Sequence, residues 1–231
     1  MGSAALNNQP ANEDAKTSPQ ALSAACATLY ADLSGLALRK QSWRPYICPF
    51  HLLMPLVPQQ SRLLDIGCGS GVFMGLLAHY GRINSGFGFD ANQSAIWWAR
   101  QMRKHLANGD GLTFEHRDAR AGLPDEQFDV VSLLDVMHHV PPPAQKALIL
   151  EAAARVKPGG LLINKDMVPK PAWRALANRM HDVVIAREWI NYAAMRDIKE
   201  WASQGALIPI EDGSENMLWY GHEWTVFRRA G

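Results

Sequence analysis

The segment Leu63-Leu64-Asp65-Ile66-Gly67-Cys68-Gly69-Ser70-Gly71 sets three glycines at alternate positions behind an apolar run. Glycine is needed where a backbone turns sharply and a ligand approaches it closely. The spacing departs from the dinucleotide fingerprint G-x-G-x-x-G, because Val72 stands where a third small residue belongs. The run Phe87-Gly88-Phe89-Asp90 ends in an acid 19 residues after Gly71. A carboxylate there can accept both hydrogen bonds of a ribose diol. Two more apolar runs end in acids, at Asp118 and at Asp135, and the paired imidazoles His138-His139 follow the second. A neutral imidazole can take a hydroxyl proton near neutral pH. A third candidate base is His181, with Asp182 beside it and Glu188 seven residues on, near the same helix face.

These residues need a scaffold that brings strand ends together. Short apolar runs at Arg62–Ile66, Ser85–Phe89, Leu112–His116, Phe128–Leu134 and Leu161–Lys165 read as strands. Between them Gly71–Tyr80, Asn92–Leu106 (with Asn92 as N-cap) and Ala144–Val156 read as helices, the last stopped by Lys157-Pro158-Gly159-Gly160. Ala206–Ile210 and Met217–Arg228 read as two more strands around an Asp212-Gly213 turn. The alternation predicts an α/β fold: a doubly wound, mostly parallel seven-stranded sheet with helices on both faces and a C-terminal antiparallel hairpin. In such sheets ligands bind outside the carboxyl ends of the strands, where the glycine loop and the acids lie.

Upstream, residues 1–20 are small and polar and read as a disordered tail. Leu22, Cys26, Leu29, Leu33 and Leu36 mark one face of a helix with a weak point at Gly35. Four prolines between 42 and 60 predict a loop with a short helix over His51–Met54. Residues 172–204 read as one or two helices, with Trp189, Tyr192 and Met195 on one face.

Composition narrows the function. The chain has 231 residues, which favours one α/β domain with extensions. Its net charge of +1 leaves no electrostatic footprint for nucleic acid or anionic membrane. No run of 18 apolar residues is present, so no membrane span is expected. Three widely spaced cysteines exclude a disulfide framework and C-x-x-C zinc spacing, and suit the cytoplasm. Five of the eight tryptophans lie between 173 and 224. Trp97, Trp98, Trp219 and Trp224 read as packing, which leaves Trp43, Trp173, Trp189 and Trp201 for an aromatic lid.

The chain resembles the class I S-adenosylmethionine-dependent methyltransferases, in their small-molecule branch with the pattern D-x-G-C-G-x-G. The resemblance rests on DIGCGSG at 65–71, GFD at 88–90, RDA at 117–119, FDVVSLLDVMHHV at 128–140 and RVKPGGLLI at 155–163. It implies S-adenosyl-L-methionine as cofactor. Asp65 and Gly67, Cys68, Gly69 and Gly71 would cradle its methionine part and ribose. Asp90 would hold the ribose hydroxyls with Ala91 beside it, Asp118 and Ala119 would frame the adenine, and Asp135 or its backbone carbonyl would face the sulfonium. Residues 21–60 become an N-terminal helical lid, 61–231 the methyltransferase domain, and 168–204 its acceptor cap.

His138 or His139 is then the first choice of base, and His181 the second. Trp43, Tyr46, His181, Trp189 and Tyr192 would contact the acceptor, with Arg44 or Tyr46 near the cofactor carboxylate. In catechol-type members an acid after the fourth strand and an Asp-Asn pair after the fifth hold magnesium. Here Asp166 is followed by Met167, so no metal is expected. The nucleic-acid signature [DNS]-P-P-[YFW] is replaced by Asp135-Val136-Met137-His138. The reading is methyl transfer to a small, apolar, aromatic hydroxylated metabolite, at oxygen first and ring carbon next. A cofactor-binding regulator without turnover and a nicotinamide oxidoreductase are the alternatives, and the oligomeric state stays open.

Overall fold

The computed structural model describes residues 17–168 and 191–231. Seven strands form one sheet in the order β3-β2-β1-β4-β5-β7-β6. They are β1 (Ser61–Ile66), β2 (Ile83–Asp90), β3 (Leu112–His116), β4 (Phe128–Leu134), β5 (Val156–Met167), β6 (Leu207–Met217) and β7 (Tyr220–Arg229). β1 to β5 pair in parallel, and β7 lies antiparallel between β5 and β6. The helices are α1 (Pro19–Leu29), α2 (Gly35–Ile47), α3 (Phe50–Leu53), α4 (Val72–His79), α5 (Gln93–Met102), α6 (Pro142–Ala154) and α7 (Met195–Gln204). Among the described residues no helix is long and apolar enough to cross a membrane.

Successive strand residues point to opposite faces, and the two cores follow that alternation. Leu63, Val130, Leu161 and Ile163 pack beneath α1, α3, α4 and α5. Leu64, Val131 and Leu162 pack beneath α6 and α7. The strand order reverses at β1, whose neighbours are β2 and β4, and this places the ligand crevice at the ends of β1 and β4.

Several sequence expectations change. Ser18 caps α1 through the Ala21 amide, so the end of the expected tail is already helical, and residues 1–16 lie outside the described part. The single helix across Gly35 is two helices, because Gly35 begins α2 with φ +56. α2 continues to Ile47 with Pro45 inside its last turn, where the expectation was a loop. The stop signal after α6 lies inside β5. Gly159, at φ +76, absorbs a register shift between the Phe128–Val156 and Val130–Leu161 pairs, a bulge rather than a strand start. The Asp212-Gly213 turn is not there. Gly213 is mid-strand because a Cβ would lie 2.1 Å from the Trp224 ring, and the chain reverses at Leu218-Trp219 instead, with Leu218 at φ +55. Tyr192 is not helical, since α7 begins only at Met195, so it shares no helix face with Met195. Trp97 and Trp219 are exposed rather than core, and Trp201 packs against the α6–α7 core rather than over the crevice. Asn92 caps α5 as read, accepting from the Ala95 amide at 3.1 Å. Trp173, His181 and Trp189 lie outside the described residues.

Candidate functional site

The glycine loop is the tightest piece of backbone at the crevice. Gly67, Gly69 and Gly71 have φ of +68, +54 and +79, where a side chain is strained. A Cβ on Gly67 would come within 2.6 Å of Val136, and one on Gly71 within 2.9 Å of Phe114. At Gly69 a Cβ would meet nothing within 4 Å, so the middle of the loop opens to the crevice. Asp90 ties the loop to the end of β2. One oxygen accepts from the Gly69 amide at 2.8 Å and the other from the Asn92 amide at 2.7 Å, which places Ala91 beside the loop.

The N-terminal helices brace the same loop. The Tyr30 hydroxyl donates to the Ser70 carbonyl at 2.7 Å, and the Ser70 hydroxyl donates to Gln41 at 2.7 Å. Asp65 is buried beneath and accepts from the Ser132 hydroxyl at 2.6 Å. Burial pushes its carboxyl up to about 7, against the Ser132 bond and with help from nearby Asp90. Asp118 and Ala119 flank the β3 end. Asp118 is held by Arg120, whose side-chain and backbone hydrogen bonds draw it below the usual carboxylate range.

A second cluster lies where β4 and β5 end. The Leu134–Lys165 register brings Asp135 and Asp166 onto adjacent strand ends. Asp135 has φ +59, a left-handed conformation uncommon for a residue with a side chain. Its amide donates to the Lys165 carbonyl at 2.9 Å, and its carboxylate accepts from the fully buried Lys165 ammonium at 2.6 Å. The Arg44 guanidinium of α2 stands 4.0 Å away. Burial opposes ionisation of Asp135, but Lys165, Arg44, His138 and His222 together hold it well below the carboxylate range. Burial and the Lys165 charge push His222 down to about 3.

His138 lies in a turn over Met137–His139 and is only 2% exposed. Its Nδ1 pairs with Asp166, its amide donates to the same carboxylate at 3.1 Å, and the Met167 amide donates there at 2.7 Å. Burial would lower the imidazole, but the Asp166 charge outweighs it and raises His138 above the ordinary histidine value. Its neighbour His139 is exposed, with ring centroids 4.1 Å apart. The buried Gln145 amide of α6 fastens the turn by donating to the Met137, Val140 and Asn191 carbonyls at 3.1, 3.2 and 3.0 Å. Asp135, His138 and Asp166 bring ligand atoms within 4.8 Å of one another, a spacing a metal ion can use. The Lys165 ammonium already neutralises Asp135 inside that group, and Asp166 is engaged by His138.

The start of α1, α2, α3 and the tip of the β6–β7 hairpin line an open cleft of about 390 Å³. Trp43, Tyr46, His51, Glu215, Met217 and Leu218 line it. The Trp43 and Tyr46 rings pack 5.0 Å apart, and burial lowers the His51 imidazole. Tyr192 is not in this lining, although its neighbour Asn191 donates to the His138 carbonyl at 2.8 Å. Reading the sequence missed Asp166 as the partner of His138, buried Lys165, Gln145, and the hairpin tip as a wall of the cleft. The register of β4 on β5 is the only signal for the first two.

A family model described as a methyltransferase domain matches residues 39–205. The chain belongs to the class I methyltransferase family. A ubiquinone biosynthesis O-methyltransferase of Coxiella burnetii is 31% identical over 194 residues, covering 74% of this chain and 78% of that one. One of Cereibacter sphaeroides is 32% identical over 154 residues, covering 65% of this chain and 57% of that relative's length. The magnesium protoporphyrin IX methyltransferase of Synechocystis, solved with bound S-adenosylhomocysteine, superposes with a TM-score of 0.66 at 19% identity, over 95% of this chain and 100% of that one. This last likeness is one of fold.

Family membership removes the nicotinamide alternative and makes S-adenosylmethionine the cofactor. The residues present suit it. The open middle of the glycine loop leaves room for a ligand against the backbone, and Asp90 sets a carboxylate beside it at the end of β2.

Proposed function

We propose that the protein transfers the methyl group of S-adenosylmethionine to a hydroxyl oxygen of a small, largely apolar, aromatic acceptor. The observation that carries this is the buried His138–Asp166 pair at the ends of β4 and β5, on the same sheet edge as the glycine loop. The names of the curated relatives, O-methyltransferases of ubiquinone biosynthesis, support an oxygen acceptor on a small molecule.

When bound, S-adenosylmethionine supplies a methyl group activated by a cationic sulfur. The chain's own residues do the rest. Gly67–Gly71 and Asp90 hold the ribose and methionine part, buried Asp65 underlies the loop toward the cationic end, and Asp135 is left to its Lys165 and Arg44 partners. Trp43 and Tyr46 cover the acceptor ring and exclude water, which keeps the acceptor oxygen aligned for in-line attack. Asp166 holds the Nδ1–H tautomer of His138 and strengthens it as a base, so Nε2 can take the hydroxyl proton. Asp118 and Ala119 frame the adenine. His139, exposed at the turn, is the lesser candidate for the base, and no step is assigned to His181.

The test is transfer of labelled methyl to a panel of phenols, with product analysis by mass and NMR. O-methylated product is expected. Ring-methylated product moves the reaction to carbon at the same base. Cofactor binding without any transfer to the panel makes the protein a regulator or subunit.

A further inference from the structure

The whole chain carries only +1, yet one helix face is locally cationic and apolar at once. Leu36, Arg39, Lys40 and Trp43 of α2 recur at i, i+3, i+4 and i+7, so they form a single stripe. Leu36 is 82% exposed and Trp43 53% exposed, which is unusual for large apolar side chains on one face. α2 contains Arg39, Lys40 and Arg44 and no acid. Arg44 turns inward to Asp135, while Arg39 and Lys40 face solvent and, among the described residues, enter no ion pair.

The hairpin tip forms the opposite lip of the cleft. There Leu218 is 53% and Trp219 49% exposed. Asp32, before α2, pairs with His105, and the Glu215 carboxylate accepts from the Asn216 amide within the cleft. The cleft thus joins Trp43, on this stripe, to Leu218, next to Trp219, and α2 adds two cations that enter no ion pair among the described residues, against the one carboxylate of Glu215 in the lining.

That combination matches the water–hydrocarbon interface of an anionic bilayer. Tryptophan settles at the headgroup level, leucine enters the acyl boundary, and Lys and Arg keep their charge at the phosphates. A protein partner would need an acidic apolar surface of the same shape, whereas a lipid surface supplies both features without shape matching. We propose that the outer face of α2 and the tip of the β6–β7 hairpin dock on an anionic lipid surface. Resting on the reading of the cleft as the acceptor site, this docking would turn its mouth toward the bilayer, so that an apolar acceptor enters without crossing water.

The experiment is vesicle flotation of the full chain with S-adenosylhomocysteine present and no acceptor, so that it does not depend on turnover. Binding is expected to phosphatidylcholine vesicles containing phosphatidylglycerol, weakened by added salt, and to be much weaker on phosphatidylcholine alone. The double variant Arg39→Glu/Lys40→Glu should lose roughly tenfold or more in vesicle affinity while its S-adenosylhomocysteine affinity and thermal unfolding stay unchanged. Leu36→Ser/Trp219→Ser should lose binding, whereas Trp97→Ser, an exposed tryptophan on α5, should keep it. Equal binding to both vesicle types, full binding by the charge-reversal variant, or equal loss in Trp97→Ser overturns the proposal. Loss of a dimer rather than of vesicle binding in the stripe variants also overturns it and makes the stripe a contact between two copies. Failed methyl transfer with intact vesicle binding would count against the acceptor reading alone.

Discussion

The two halves of the crevice are built from different material. The cofactor half is made of backbone: three glycines at positive φ, the Gly69 and Asn92 amides on Asp90, and a loop braced by Tyr30 and Gln41. The half proposed for the acceptor draws on side chains: Trp43, Tyr46 and His51 of α2 and α3 with the β6–β7 tip line the cleft, and the His138–Asp166 pair stands at the ends of β4 and β5. A backbone cradle needs its glycines within one short stretch, where their positive φ strains any side chain. A side-chain wall can be assembled from distant segments, and each member changes with limited damage to the rest.

The largest effect should come from breaking the cradle. Asp90→Ala removes the acceptor of two amide hydrogen bonds, each to a charged group worth about 1.5–3 kcal/mol. It should weaken S-adenosylhomocysteine binding by about a hundredfold or more in isothermal titration. His138→Ala should instead leave that affinity intact and lower kcat by about a hundredfold or more, the usual worth of a positioned base. If His138→Ala lost cofactor binding equally, the two halves would not be separable. Tyr46→Ala should raise the acceptor KM by roughly tenfold with little change in cofactor affinity, measured by initial rates, since it removes one aromatic wall.

Asp65 sharpens the comparison through pH. Its carboxyl is raised by burial to about 7, so it ionises only above that value in the free protein. The cationic S-adenosylmethionine prefers the ionised form, so its affinity should rise with pH through about 7 and flatten in Asp65→Asn. The same raised value means that ionising Asp65 opposes folding, a cost growing as pH climbs from the ordinary carboxylate range through about 7. The smallest effect is expected from metal removal. With Lys165 already neutralising Asp135, dialysis against a chelator should leave turnover unchanged, and its loss would make Asp135, His138 and Asp166 a metal site.

The same division explains what could be read from the sequence. Gly67–Gly71 and Asp90 are legible because a tight loop constrains consecutive residues, and strand ends are legible because apolar runs stop at polar residues. The partner of His138 is not, because Asp166 reaches it only through the β4–β5 register. Lys165 reads as a strand-end charge, but Asp135 neutralises it in the interior. Asp212-Gly213 carries the chemistry of a turn, and tertiary packing overrides it: the Trp224 ring requires glycine opposite, and Asp212 accepts from Thr225 at 2.6 Å across the ladder. The prolines between 42 and 60 suggest a loop, yet residues up to Ile47 are helical, because buried Pro45 is tolerated near the end of α2.

The central claim, a histidine base set by Asp166, is tested most directly by the pH profile of kcat/KM for methyl transfer to a phenol, in the native protein and in Asp166→Asn. Asp166 raises the His138 value, so the imidazole is protonated and inactive below it. The account predicts an acid limb above the ordinary histidine value of 6.5 in the native protein, moving to lower pH with a reduced plateau in the variant. A flat acid side, or a limb that stays in place when Asp166 is neutralised, would contradict it.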